Sequence, residues 1–163
     1  MSKGVGTPAT NALTKAGIAF TSHQYEHDPR SSSYGMEAAS ALGLDPAQVF
    51  KTLIATVDGQ PVVAIVPVNG SLDLKLLASV RGGRRAELAD AAMAQRLSGY
   101  VLGGISPIGQ RRPLPTLLDS SASAIATVYV SGGRRGFDVG LAPVDLLGVT
   151  GGSYAPIARA ERS

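Results

Sequence analysis

Apolar residues along this chain gather into short runs separated by Gly, Pro, Asp and Ser, and their spacing changes from one run to the next. Thr7-Pro8, then ATNALTKA and Gly17, predicts a helix with a capping threonine, a proline in its first turn and a glycine stop. Ile18 to His27 alternates as a strand does, and the polar loop DPRSSS leads to a helix over Tyr34 to Leu42 that stops at Gly43. Asp45-Pro46 starts a short turn. LIATV and PVVAIVPV, separated by Asp58-Gly59-Gln60, predict a hairpin. Ser71 to Val80 and Asp90 to Leu97 carry helical amphipathic spacing, the second capped by Asp90 and stopped by Gly99. Short strands are expected at Tyr100 to Leu102, Leu114 to Leu118, Ala126 to Val130 and Phe137 to Leu141, and a last helix after Pro143. The tail from Gly151 is small and polar. With no internal repeat and no linker, the order of elements predicts one α+β domain, a mixed sheet with surrounding helices over residues 1–163 and a core over roughly 7–157.

Composition narrows the chemistry. The chain has 163 residues, 44% of them hydrophobic, enough for one sizeable core. It has no cysteine, which excludes disulfides, thiolate-bound metal and a cysteine nucleophile. The opening segment MSKGVGTPATNALTKAG lacks the apolar centre of a signal peptide, and the longest apolar run, Pro61 to Val68, is too short to span a bilayer. A cytoplasmic protein with no membrane partner is expected. Net charge is only +3, but Arg81, Arg84 and Arg85, Arg111 and Arg112, and Arg134 and Arg135 all adjoin glycine or proline in expected loops. Loops of this kind either scatter their charge or gather it against a polyanion. Aromatic residues make up 5% and Trp is absent, which argues against a multi-base stacking platform.

GGISPIGQRR, from Gly103 to Arg112, comes close to two motifs and completes neither. Its G-x-x-x-x-G spacing is followed by Gln110 and Arg111 where a phosphate loop needs Lys and Ser or Thr, and Ile108 replaces the second glycine of a nucleophile elbow. What remains is a loop able to bring backbone N–H groups close to a ligand, or a plain connection. His23, Tyr25 and His27 share one face of the expected strand, but the two histidines would stand roughly 13 Å apart, too far for one ion, so no metal is expected. Lys51, in VFKTLI, and Asp138, in FDVGL, are charges in apolar segments. Lys51 either holds a carbonyl, carboxylate or phosphate, or is a strand-end lysine reaching water. Asp138 either pairs with a basic group or a substrate amine, or faces outward from an edge.

Taken together, YEHDP at Tyr25, Tyr34-Gly35, LGLDPAQVFKTL ending at Leu53, LDLKLLA, AQRLSGYVLGGISPIGQ, LPTLLD and YVSGGRRG resemble the YbaK family. These are bacterial trans-editing Cys-tRNA(Pro) deacylases related to the prolyl-tRNA synthetase editing domain. The resemblance runs in order from Thr7 to near Ile157. It implies hydrolysis of the ester that joins a mischarged amino acid to the terminal adenosine of tRNA(Pro), without a cofactor and in transient complex with prolyl-tRNA synthetase. It implies that the substrate's own thiol attacks its carbonyl, releasing a cyclic thiolactone.

By the same resemblance Lys51, Gly104 and Tyr25 carry the reaction. Tyr34, Thr52, Gly103, Ile105, Ser106, Pro107, Ser131, Gly132 and Asp138 shape the substrate pocket. Backbone N–H groups around Gly104 are expected to stabilise the oxyanion, and Arg111, Arg112, Arg134 and Arg135 to meet the tRNA. Editing of another residue such as alanine, and a non-catalytic tRNA or synthetase adaptor, are the alternatives.

Overall fold

Capped helices and one tight hairpin organise the chain, seen here in a computed structural model that describes residues 6–31 and 33–160. The first and last residues of the expected 1–163 domain, and Ser32 of the expected DPRSSS loop, lie outside the described residues. Helix α1 (Pro8–Ala16) starts at Thr7, whose hydroxyl accepts the Thr10 N–H at 3.1 Å, and ends on left-handed Gly17. Its Ala9 and Leu13 are buried in the main core. Strand β1 (Thr21–Gln24) is shorter than the alternation suggests: its ladder ends at Gln24, and the Tyr25 N–H donates to the carbonyl of Gly136, which lies in a turn, at 2.9 Å. Helix α2 (Tyr34–Leu42) ends on Gly43 as expected.

Strands β2 (Phe50–Val57) and β3 (Gln60–Pro67) form the hairpin, with Asp58 and Gly59 at φ 49° and 83°. These are the positive values that a two-residue loop requires. The Asp58 carboxylate also accepts the N–H groups of Arg84 and Arg85 at 3.0 and 2.9 Å, which ties the RGGRR loop to the hairpin.

The expected helix over Ser71 to Val80 divides. Gly70–Leu72 forms β4, and Asp73 caps a shorter α3 (Leu74–Val80). β5 (Ala86–Leu88) pairs with β2 ahead of α4 (Ala91–Ser98). Tyr100 to Leu102 form no strand. The Tyr100 ring is buried and its hydroxyl donates to the Ile108 carbonyl at 2.6 Å, so the segment is held by a side chain instead of a ladder. β6 (Thr116–Asp119) leads through a 3-10 turn (Ser120–Ala124) to β7 (Val128–Arg134), β8 (Phe137–Leu141) and α5 (Pro143–Thr150). The polar tail adds β9 (Ser153–Ala155) and β10 (Ala158–Ala160).

The larger sheet has the order β5-β2-β3-β6-β9, antiparallel around the hairpin and parallel beyond β3. A second sheet, β1-β8-β7, is antiparallel with β8 at its centre. β10 pairs with β4. Alternation along β2 divides the interior. Phe50 and Ile54 enter the main core with Leu118, Phe137 and Val139, while Ala55 and Val57 enter a second one with Leu77 and Ile157. A small third cluster, Ala38, Ala39, Val49 and Val68 with Tyr25 and Tyr129, lies between α2 and the outer face of the second sheet. Val49 bridges to Tyr129 there, so the two sheets meet at the N-terminal end of β2.

Candidate active site

Where β2 enters between the sheets, the third cluster leaves a cleft of about 300 Å³. Lys51 and Thr52 project from opposite faces of β2 and both line it, because the cleft wraps the end of that strand. Among the described residues Lys51 makes no ion pair, and Thr52 Oγ1 is shut away from solvent with no hydrogen-bond partner.

The second sheet supplies the opposite wall. Ser131 and Asp138 are register partners across β7 and β8, so both face the cleft, while Val130, Phe137 and Val139 on the reverse face fill the main core. Asp138 is therefore no outward edge residue. It sits on a central strand, 5% exposed, without a hydrogen bond or ion pair among the described residues. Burial pushes its carboxyl up to about 7. Burial first, then the carboxyls of Asp138 and Glu37, push the Tyr25 phenol up to about 12. Tyr25 thus meets the cleft as a proton-bearing hydroxyl.

The mouth is held by α2 and the GGISP loop. Glu37, in the first turn of α2, takes His27 Nδ1 and the Asp28 N–H, each at 2.7 Å, and so fastens the segment that carries Tyr25. Tyr34 lies against the His27 ring, with centroids 5.5 Å apart, and under the Arg135 guanidinium at 5.4 Å. Arg135 Nε donates to the Leu102 carbonyl at 2.6 Å, joining the β7–β8 hairpin to the loop. Gly103, at φ 83°, has Tyr34 where a Cβ would stand, at 2.7 Å. Gly103 and Ile105 line the cleft together with Tyr34.

Four of the expected site residues have other roles. Gly104 lies outside the lining, and its N–H already donates to the Val101 carbonyl at 2.9 Å, so it is not a free oxyanion donor. Its lack of a side chain serves packing: a Cβ would meet the Arg134 backbone at 2.8 Å. Ser106 is fully buried, its hydroxyl accepting from the Ile108 N–H at 3.2 Å and its carbonyl from Gln110 at 2.9 Å. With the buried Pro107 it shapes the turn and lines no cleft. Gly132 also falls outside, its carbonyl accepting the Thr7 hydroxyl at 2.6 Å.

Arg111, Arg112 and Arg134 are exposed, as is Arg135 beside the mouth. The histidines go separate ways: His23 bonds to Thr21 at 2.7 Å and stacks edge-on with Tyr129, far from the His27–Glu37 pair in chemistry and role. Among the described residues no group of three or more potential ligands comes together for a metal ion, and no helix is long and apolar enough to cross a membrane.

Sequence reasoning missed the apolar lips of the cleft, Met36 and Leu102, which are respectively 42% and 37% exposed. An apolar residue beside the conspicuous Tyr34-Gly35 and Gly103-Gly104 pairs was the available signal. It also missed Glu37, whose first-turn position announced a capping or bridging acid.

Comparison with known proteins bears on this geometry. A family model for the aminoacyl-tRNA editing domain matches residues 30–149, which contain the cleft walls other than Tyr25. Over 125 residues the chain is 39% identical to EbsC of Enterococcus faecalis, a protein named as a Cys-tRNA(Pro)/Cys-tRNA(Cys) deacylase, with 76% of each chain covered. It is 27% identical over 100 residues to the proline–tRNA ligase of Maridesulfovibrio salexigens, covering 61% of this chain and 17% of the ligase. A crystal structure described as a trans-editing enzyme for prolyl tRNA synthetase superposes with a TM-score of 0.83 at 25% identity, covering 96% of this chain and 100% of the other. The α+β fold and the family are thereby shown: this chain belongs to the aminoacyl-tRNA editing domain family.

Proposed function

We propose that this protein is a trans-editing deacylase that hydrolyses the aminoacyl ester of Cys-tRNA(Pro). The observation that carries the proposal is a Lys51 that makes no ion pair among the described residues and lies in a small, partly apolar cleft with Tyr25 and Asp138, in an editing-family chain that is 39% identical to a named deacylase. An aminoacyl ester is already activated, so binding, orientation and stabilisation of the developing negative charge supply most of the required catalysis. Lys51 anchors the terminal adenosine phosphate or the ester carbonyl, and the Tyr25 hydroxyl donates a hydrogen bond inside the cleft. With the Gly104 N–H committed to Val101, Gly103 and Ile105 are the backbone donors of this loop that line the cleft.

Among the described residues, Ser106 is buried in a turn and Ser131 Oγ accepts the Gly133 N–H at 3.2 Å, with no histidine bonded to either. This favours attack by a group the substrate brings, its thiol, over a serine nucleophile. Exposed Arg111, Arg112, Arg134 and Arg135 steer the acceptor end, and selection of tRNA(Pro) comes through transient association with prolyl-tRNA synthetase, since phosphate contacts carry little sequence information.

The test is single-turnover deacylation of Cys-tRNA(Pro), Ser-tRNA(Pro) and Ala-tRNA(Pro) by the parent and by Lys51→Ala. The expected result is rapid loss of the cysteinyl ester, far slower loss of the seryl ester, and a fall of at least about 100-fold in Lys51→Ala. Equal rates on the cysteinyl and seryl esters overturn the thiol route. Faster cleavage of the alanyl ester reassigns the substrate, and tRNA binding without cleavage makes the chain an adaptor.

A further inference from the structure

Two polar groups of the cleft are buried by the fold and left without a partner among the described residues: the Asp138 carboxyl and Thr52 Oγ1. Leaving such groups unmatched costs stability, and an arriving ligand that satisfies them recovers it. Only the carboxyl opens on the cleft, where its ionised form takes both hydrogen bonds and a positive charge; Thr52 Oγ1 is closed to solvent. Around them the cleft offers Phe50, Leu53, Val68 and Ile105, which are apolar, and Lys51, which repels a cation. An aminoacyl ester has one group with several N–H donors and a positive charge, its α-amino group.

We propose that Asp138 is the receptor for the α-amino group of the aminoacyl moiety, so that the chain selects esters of free α-amino acids over acyl groups that lack the amine. The inference rests on the proposed deacylase function for the identity of the ligand. It divides the cleft by charge: Lys51 for the ester and phosphate end, Asp138 for the amine. The other titratable groups fit this division. Tyr25, which burial and then the carboxyls of Asp138 and Glu37 keep protonated, brings no competing charge to this wall. His23, the cross-strand partner of Asp138, is committed to Thr21 and Tyr129. A bound ammonium group offsets the burial that holds the carboxyl protonated, so binding at pH 6 releases a proton.

The experiment is calorimetric binding of two non-hydrolysable probes: cysteinyl adenosine joined by an amide in place of the ester, and its 3-mercaptopropionyl counterpart, which keeps the thiol and lacks the amine. The parent binds the amine-bearing probe tighter by about tenfold to a hundredfold. Asp138→Asn brings that ratio close to one and abolishes the proton release, while binding the amine-free probe as the parent does. A parent that binds both probes alike or neither, or an Asp138→Asn variant that is folded and weaker on both by one common factor, overturns the inference. Deacylation of Cys-tRNA(Pro) is measured on the same preparations. Amine-selective binding without cleavage overturns the proposed function and supports this inference, whereas cleavage without amine selectivity does the reverse.

Discussion

Two aspartates lie in apolar strands of this molecule and are buried to nearly the same degree, Asp119 at 7% exposure and Asp138 at 5%, yet they have opposite surroundings. Asp119 ends β6 with its carboxylate filled. One oxygen accepts the N–H groups of Ile157 and Ala158 at 3.0 and 2.9 Å, and the other accepts that of Ser121 at 3.2 Å. It welds the C-terminal segment to the larger sheet. Asp138 makes no such bond among the described residues and opens on the cleft. Burial by itself therefore says nothing about function. A buried acid whose acceptor sites are filled is a fastener, and one whose sites are empty beside a cavity awaits a ligand.

The comparison breaks most sharply with pH. The Asp138 carboxyl titrates near 7 when folded and near the ordinary 3.8 when unfolded. Between those values the native state holds the extra proton, so its contribution to stability falls as pH rises from about 4 to about 7 and is level on either side. The total fall is about 4 kcal/mol, and Asp138→Asn removes it. Urea unfolding of parent and variant at pH 5 and pH 8 checks this: the variant gains on the parent as pH rises, and parallel behaviour ends the reading of Asp138 as an unpaired acid.

Asp119→Ala should behave the other way, losing about 3 kcal/mol at pH 7 by leaving three N–H groups without their acceptor. Urea unfolding at that pH measures the loss, and a variant as stable as the parent removes the contrast. Glu37 is a third case, its two oxygens filled by His27 and Asp28 at the edge of the same cleft. Glu37→Gln is expected to cost about 1 kcal/mol of stability and to raise KM more than it lowers kcat, because it loosens the Tyr25 segment. An unchanged KM in deacylation assays contradicts that role.

The smallest effect belongs to charges that are neither buried nor filled. Replacing Arg111 and Arg112 with Ala should change stability by less than about 0.5 kcal/mol. It should flatten the dependence of log affinity for tRNA on log salt by about 0.7 for each phosphate these arginines neutralise. Filter binding across a salt series reads that slope directly, and an unchanged slope removes them from the tRNA path.

Much of the scaffold is legible in the chain because its signals are local. Thr7 with Gly17, Asp90 with Gly99, and Asp58-Gly59 each act on backbone within a few residues, and each marks the boundary or turn expected of it. The three-residue strands β4, β5, β9 and β10 escape such reading. They are too short to show a period, and they exist because a neighbouring strand presents a free edge. The Tyr100 segment fails for the opposite reason. Its apolar residues look like a strand, but one buried ring and a hydroxyl bond to Ile108 hold them in a turn.

The site divides along the same line. Lys51, Tyr25, Asp138 and the GGISP loop stand out in the sequence because polar or glycine residues interrupt apolar runs, and their likeness to an editing family points to tRNA. Their individual tasks depend on distance. Gly104 is exposed as a packing glycine only when Arg134, thirty positions on, is found against it.

By itself the sequence determined that Asp138 had to be explained, since a charge among Phe137, Val139 and Leu141 stands out, whereas Asp119 only closes the stretch LPTLLD. Only the tertiary structure decided which of those two charges is satisfied. Two of the three groups that fill Asp119 come from 38 and 39 residues further along the chain, and no local pattern encodes the meeting of segments so far apart.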